Sequence, residues 1–138
     1  MKKRIIVGIC AILLLTSCAH EYNQVYKTTN NDYKYEFAKE CFAKGKYGFA
    51  VPLLQDLVTI EKGTDNAQEC LYMLAMAEYC LKDYQAASET FKKYYQTYPR
   101  GQYAEMASFY IGQSLFEGTT EPRLDQTPTV AAIAAFQE

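Results

Sequence analysis

Hydrophobic residues along this chain recur at helical spacing, and their arrangement returns with a period of 37 residues. Three columns of the sequence share this period: Tyr35, Tyr72 and Phe109; Ala38, Ala75 and Gly112; and Phe42, Tyr79 and Phe116. A turn segment repeats as well, since residues 45–50 match residues 82–87. Agreement of independent columns on one period predicts a repeat protein.

Each repeat unit contains two predicted helices. In unit two, apolar residues follow one another at intervals of three and four residues from Tyr84 to Tyr98, which is typical of an amphipathic helix. No segment has the sustained alternation that predicts a β-strand. The sequence therefore predicts an all-α fold, a helical-hairpin solenoid of about two and a half to three repeats over residues 32–138. Pro52 lies inside the second helix of unit one, where we expect a kink or a late helix start.

The units resemble tetratricopeptide repeats, which are helical hairpins of this kind. The resemblance rests on the small residue in each first helix, on the Tyr-x-x-Ala elements that begin at Tyr47 and Tyr84, and on Pro99 at the end of unit two. The period is longer than the 34 residues usual in that family.

The third unit is irregular, because residues 117–127 interrupt the repeat. Thr127 and Pro128 form a good N-cap and first-turn pair, which predicts a last helix over residues 128–138. Ala132 in this helix follows Ala87 by 45 residues. Because an apolar helix at the end of a solenoid needs a covering partner, we expect either the N-terminal half of a longer protein or a second subunit at this end.

The first eighteen residues have the features of an export signal. A basic start at residues 1–4 precedes an apolar run over residues 5–15, which is too short to cross a bilayer. Leu15-Thr16-Ser17-Cys18 resembles the lipobox of bacterial lipoproteins, in which the signal is cut before a cysteine that carries acyl chains. The resemblance implies a lipoprotein signal peptide over residues 1–17 and a lipid anchor on Cys18. An ordinary secretory signal with a chance cysteine is the alternative.

Residues 19–31 are polar and aperiodic, so residues 18–31 are predicted to be the lipidated cysteine and a flexible tether. The remaining cysteines, Cys41, Cys70 and Cys80, fall in apolar helical patterns. We expect them to be small buried hydrophobic residues without an obligatory disulfide framework.

The composition argues against an enzyme. A single histidine leaves almost nothing for histidine-based metal sites or for Ser-His and Cys-His catalysis. No phosphate-binding loop or metal-ligand spacing is present, and carboxylates such as Glu36 and Glu69 are typical of a solvated helix face. We therefore predict no catalytic residues, no metal and no cofactor. With 14 basic and 16 acidic residues, the chain is also not predicted to bind nucleic acid.

The whole arrangement resembles the BamD family of outer-membrane assembly lipoproteins over residues 18–138. The resemblance rests on the lipobox, on the segment Tyr98-Pro99-Arg100-Gly101-Gln102-Tyr103-Ala104, and on Leu124-Asp125-Gln126-Thr127 before a helix with Ala132, Ile133 and Phe136. It implies a lipid-anchored scaffold of the β-barrel assembly (BAM) complex at the periplasmic face of the outer membrane. Its partners would be a BamA-like β-barrel protein and unfolded outer-membrane proteins. A generic repeat lipoprotein that serves as an adaptor in another envelope complex is the alternative.

A surface for polypeptide binding can be predicted on the first helices of the hairpins, which would line the inner face of the solenoid. Aromatic side chains offer a large contact area at a small entropy cost. The hypothesis is a ladder of seven residues: Tyr35, Phe42, Tyr72, Met76, Tyr79, Phe109 and Phe116. The alternative is that these side chains pack helix against helix.

Overall fold

The computed structural model describes residues 21–64, 66–119 and 125–137. Helix α1 is described over residues 21–27. Six more helices follow in chain order: α2 (Asn31–Ala43), α3 (Tyr47–Ile60), α4 (Asn66–Cys80), α5 (Tyr84–Thr97), α6 (Ala104–Glu117) and α7 (Thr127–Gln137). Within these described ranges there is no β-strand, and the predicted all-α fold is confirmed.

The helices pack in sequence. From α2 to α7, each helix packs chiefly against the helix before and after it, and α2 also touches α4. The helices thus form three successive hairpins, α2–α3, α4–α5 and α6–α7. Packing limited to neighbours is the defining feature of a solenoid, so the tetratricopeptide-like architecture is confirmed. None of the helices in the described part of the chain is long and apolar enough to cross a membrane.

The turns of the first two hairpins have the same backbone structure. Gly45 and Lys82, which are 37 residues apart, both have a positive φ, at +69° and +64°. In each turn the next amide donates a hydrogen bond to the carbonyl five residues earlier, at 2.8 Å to Cys41 and 3.0 Å to Glu78. The 37-residue period in the sequence therefore corresponds to a period in backbone conformation.

The small residues of the repeat allow the helices to approach closely. Ala38 and Ala75 in the first helices are fully buried, as are Ala50 and Ala87 in the second helices. In the third hairpin the approach is closer still. A β-carbon added to Gly112 would lie 2.6 Å from the ring of Phe136, so only glycine fits there without a shift.

Two helix starts differ from the prediction. Of the two outcomes predicted at Pro52, a kink or a late start, the late start is wrong, because helix α3 begins at Tyr47. The carbonyl that would bond to the amide of residue 52 belongs to Gly48, which is exposed and open to water. Thr127 is the first residue of α7 and not its N-cap; Asp125 Oδ1 accepts hydrogen bonds from its amide at 3.0 Å and its hydroxyl at 2.6 Å.

The flexible tether expected over residues 18–31 is wrong for its described part. Residues 21–27 are helical, and Val25 is fully buried in the core of the first hairpin. The ring of Tyr22 packs 4.9 Å from that of Phe49. Asn30 caps α2, since its Oδ1 accepts a hydrogen bond of 3.0 Å from the amide of Tyr33. Cys18 and the predicted signal peptide lie outside the described residues.

The hydrophobic core consists of two clusters that meet between hairpins. The first lies among α2, α3 and α4 and contains Leu53, Leu54 and Leu57. The second lies among α4, α5 and α6 and contains Phe91 and Tyr94. Burial of each such side chain contributes about 1.5–3 kcal/mol, and the partly buried Val58 contacts both clusters.

The cysteines agree with the prediction except at one position. Cys41, Cys70 and Cys80 are all free thiols, and Cys41 and Cys70 are buried. Burial raises the pKa of Cys70 to about 12. Cys80 is exposed, so its predicted burial is wrong; it is the last residue of α4, next to the turn.

Candidate functional site

The seven residues of the predicted ladder do not form one continuous exposed groove. Two of them, Tyr35 and Tyr72, are buried, and three, Phe42, Met76 and Tyr79, are half-buried. Only Phe109 and Phe116, both on α6, are largely exposed, at 54% and 57%. The face made by the first helices therefore changes along the solenoid, from packed at the first hairpin to open at the third.

At the first hairpin, a hydrogen-bonded group joins α2 to α4. The hydroxyl of Tyr35 donates to Glu69 Oε2 at 2.5 Å, and Lys39 Nζ lies 3.2 Å from Glu69 Oε1. The same ammonium group is 3.3 Å from the Tyr35 hydroxyl and 4.9 Å from the ring centroid. Burial, together with the neighbouring carboxylate, raises the pKa of Tyr35 to about 12. Tyr35 therefore holds two helices together, and its hydroxyl is already engaged.

In the middle of the solenoid, Tyr72 is a core residue. Its ring stacks on Tyr103 with a centroid distance of 4.3 Å, and it makes edge contacts to Phe91 and Tyr94 at 5.9 and 5.8 Å. Among the described residues its buried hydroxyl finds no hydrogen-bond partner. Burial raises the pKa of this phenol to about 12. For Tyr35 and Tyr72 the exposed-groove hypothesis is wrong, because both side chains are enclosed by neighbouring helices.

Phe42 and Tyr79 pack in equivalent ways within their own hairpins. Each makes an edge contact, at a centroid distance of 5.5 Å, with the tyrosine that begins the second helix: Phe42 with Tyr47, and Tyr79 with Tyr84. Phe116 holds the corresponding position in the third hairpin. When α7 is aligned on Ala132, Thr129 takes the place of that tyrosine, so Phe116 has no equivalent aromatic partner. Phe116 is 57% exposed, whereas Phe42 and Tyr79 are half-buried.

The third hairpin carries an exposed apolar surface on two adjacent helices. We call it the third-hairpin apolar surface; it consists of Met106, Phe109 and Phe116 on α6 and Val130, Ile133 and Phe136 on α7. The rings of Phe109 and Phe136 lie 6.2 Å apart, which connects the two halves. Large exposed apolar groups that lie together mark interaction sites on soluble domains. The predicted ladder included Phe109 and Phe116 of this surface but neither Met106 nor any residue of α7.

A second cleft lies on the side of the second helices and was not predicted. It occupies about 360 Å³ between α5, α6 and α7, and its lining includes Tyr95, Ile111, Leu115 and Ala135. Alanines of α7 form one wall, so the cleft arises where a helix of small residues packs against larger ones. The signal in the sequence was four alanines, Ala131, Ala132, Ala134 and Ala135, on either side of Ile133.

Together, these features define a class: an all-helical repeat protein with an exposed apolar surface on its third hairpin. The described residues contain no group of three or more His, Cys, Asp or Glu side chains that could hold a metal ion.

The family follows from a comparison with protein-family models. The model of the YfiO family, described as an outer membrane lipoprotein, matches residues 27–138. The chain therefore belongs to the YfiO family of outer membrane lipoproteins, which is the BamD family that the sequence resembled. A comparison with curated proteins found no match. Family membership makes this chain a lipoprotein of the cell envelope.

Proposed function

We propose that this chain is a scaffold of the β-barrel assembly complex, anchored through Cys18 at the periplasmic face of the outer membrane. The observation that carries the proposal is the match to an outer membrane lipoprotein family over residues 27–138. The hairpin solenoid supports it, because stacked repeats create extended surfaces for polypeptides. In this role the chain binds the periplasmic domains of a BamA-like protein and unfolded outer-membrane proteins, and it helps to insert the latter.

The third-hairpin apolar surface is the proposed site for unfolded substrates. Phe109, Phe116 and Phe136 are each about half exposed, so together they offer roughly 300 Å² of apolar area, worth about 7 kcal/mol if covered. Association itself costs about 4 kcal/mol or more. The net affinity is therefore weak, which suits a scaffold that must release its substrate. Transmembrane β-strands alternate apolar and polar residues and offer matching side chains.

The proposal includes no catalytic step, no cofactor and no nucleic-acid partner. Binding and positioning of other chains is the whole of the proposed role, and the membrane is reached through the lipid on Cys18. The only histidine in the chain, His20, is adjacent to the predicted anchor and has no assigned part in this function.

Photo-crosslinking in cells tests this proposal. A photoreactive phenylalanine is placed at Phe109 or at Phe116 and, as a control, at Tyr95, an exposed aromatic residue on α5. We expect crosslinks to unfolded outer-membrane proteins from positions 109 and 116, fewer from position 95, and recovery of a BamA-like protein with the full chain after mild crosslinking of membranes.

Two results would contradict the proposal. Recovery of other envelope proteins in place of a BamA-like protein would favour the adaptor alternative. Crosslinks to substrate from Tyr95 but not from Phe109 or Phe116 would move the substrate site to the cleft among α5, α6 and α7.

A further inference from the structure

Aromatic side chains lie around Glu21, the first described residue of α1, which is close in the chain to the predicted lipid attachment. Glu21 lines one cleft with Tyr22 and Phe49 and a second cleft with Tyr33. Tyr33 is 48% exposed and Phe49 is 37% exposed, whereas Tyr22 is half-buried, with its ring against that of Phe49. These side chains come from three helices, so the grouping exists only because α1 packs on the first hairpin.

The distance from this group to the lipid is limited by the length of the chain. Cys18 is three residues before Glu21, and three residues span at most about 11 Å. The helix that follows is held to the domain, since Val25 is fully buried. The headgroup layer on each side of a bilayer is about 5–8 Å thick. A lipid on Cys18 therefore keeps Glu21 within or just above the headgroups.

We propose that Tyr33 and Phe49, supported by Tyr22, rest in the headgroup layer and form a second membrane contact that orients the solenoid. This inference depends on lipidation of Cys18, which belongs to the proposed function. Aromatic residues favour the membrane–water interface because their rings are apolar and, in tyrosine, one end is polar. A chain attached only through its acyl chains can rotate on the membrane. A second contact beside the acyl chains fixes the orientation of the solenoid relative to the bilayer.

The chemistry of the patch favours a lipid surface without a requirement for anionic lipid. Lys44 and Lys46 lie in the same cleft as Glu21 and Glu40, and Lys44 pairs with Glu40, so the local charges balance. A balanced patch gains little from a negative surface potential. Insertion of the aromatic rings is therefore the interaction that holds this face to the bilayer. We expect a membrane of zwitterionic lipid to be sufficient for this contact.

Single tryptophans provide the test, because the chain has no tryptophan of its own. Tyr33→Trp and Phe49→Trp report on the proposed contact, and Tyr95→Trp, at a residue 42% exposed on α5, is the matched control. The full-length lipidated variants are purified from membranes, and mass spectrometry verifies acyl chains on Cys18. Each is reconstituted into phosphatidylcholine vesicles with or without bromine on the acyl chains. We expect loss of emission in brominated vesicles for Tyr33→Trp and Phe49→Trp but not for Tyr95→Trp.

The outcomes separate this inference from the proposed function. Equal emission in brominated and plain vesicles for both reporters, with acyl chains present on Cys18, would overturn the membrane contact and leave the scaffold role intact. The same loss at all three positions would also overturn it, since the solenoid would then have no defined orientation. Absence of acyl chains on Cys18 would overturn both. Circular dichroism of each variant shows that the helices are formed. The Tyr33→Trp and Phe49→Trp variants test the membrane contact independently of each other.

Discussion

The phenol of Tyr35 donates a 2.5 Å hydrogen bond to Glu69, and this bond joins the first helices of the first two hairpins. Tyr35→Phe keeps the ring but removes the bond, so we expect a loss of about 1 kcal/mol in the free energy of unfolding. Urea unfolding of the two proteins measures this difference. Tyr33→Phe, at an exposed tyrosine on the same helix, should change stability little. Equal effects of the two substitutions would show that the bond contributes nothing.

The buried phenols predict a loss of stability at alkaline pH. The pKa values of Tyr35 and Tyr72 are raised from 10.0 to about 12, so the folded state holds these protons more tightly than the unfolded state. Their contribution is complete below pH 10 and is lost as the pH rises towards 12. Tyr35→Phe and Tyr72→Phe together should flatten the decline in this interval, as measured by urea unfolding at a series of pH values. An unchanged slope would contradict the assignment.

The burial of Glu78 predicts that the stability of the domain depends on pH in the neutral and acid range. Glu78 is a buried carboxyl group on α4 whose Oε2 finds no hydrogen-bond partner among the described residues, and burial raises its pKa. A raised folded-state pKa means that stability is greatest when the group is protonated and falls as it ionises. Glu78→Gln should therefore stabilise the domain at neutral pH, by about 1 kcal/mol, and the gain should disappear in acid.

Thermal unfolding of the Glu78→Gln variant at several pH values checks this prediction. Glu36→Gln, at an exposed position on α2, removes the same charge without burial and serves as the control. A gain that is the same at every pH would show that ionisation of Glu78 is not its cause.

The contact between Gly112 and Phe136 predicts opposite effects of one substitution at two glycines. Gly112→Ala forces the added methyl group against the ring of Phe136, and we expect a loss of about 1–3 kcal/mol. Gly48→Ala adds the same group to α3 where nothing lies within 4 Å, so stability should rise by up to about 1 kcal/mol. Urea unfolding measures both. Similar losses at both sites would mean that the close approach of α6 and α7 is not a constraint.

The equivalent turns at Gly45 and Lys82 predict that two substitutions, one in each turn, have opposite effects on stability. Lys82 has a left-handed conformation that costs a non-glycine residue about 1–2 kcal/mol, so Lys82→Gly should stabilise the domain, in part offset by the flexibility of glycine. Gly45→Ala places a side chain in the same conformation and should destabilise it by about 1 kcal/mol. Thermal unfolding of both variants tests whether the turns are equivalent in energy as well as in structure.

Most of the architecture could be predicted, because the repeat is visible in the spacing of apolar and small residues along the sequence. Tyr47 and Tyr84 begin their helices 37 residues apart, and Ala38 and Ala75 are buried, as the period required. The candidate site was less predictable. Tyr35, Tyr72 and Phe109 occupy one column of the repeat, yet the first two are buried and the third is exposed. The position of a residue in the repeat predicts where the residue lies on its own helix. It does not predict which other helices pack over that residue.

The sequence by itself determined the helical class, the hairpin period and the apolar helix faces, because all three depend on intervals of three or four residues and on their recurrence along the chain. Only the tertiary structure decided that residues 21–27 form a helix on the first hairpin and that the apolar surface opens at the third hairpin. Both depend on contacts between distant segments. Tyr22 of α1 meets Phe49 of α3, and Phe109 of α6 meets Phe136 of α7, only when the helices that carry them pack together.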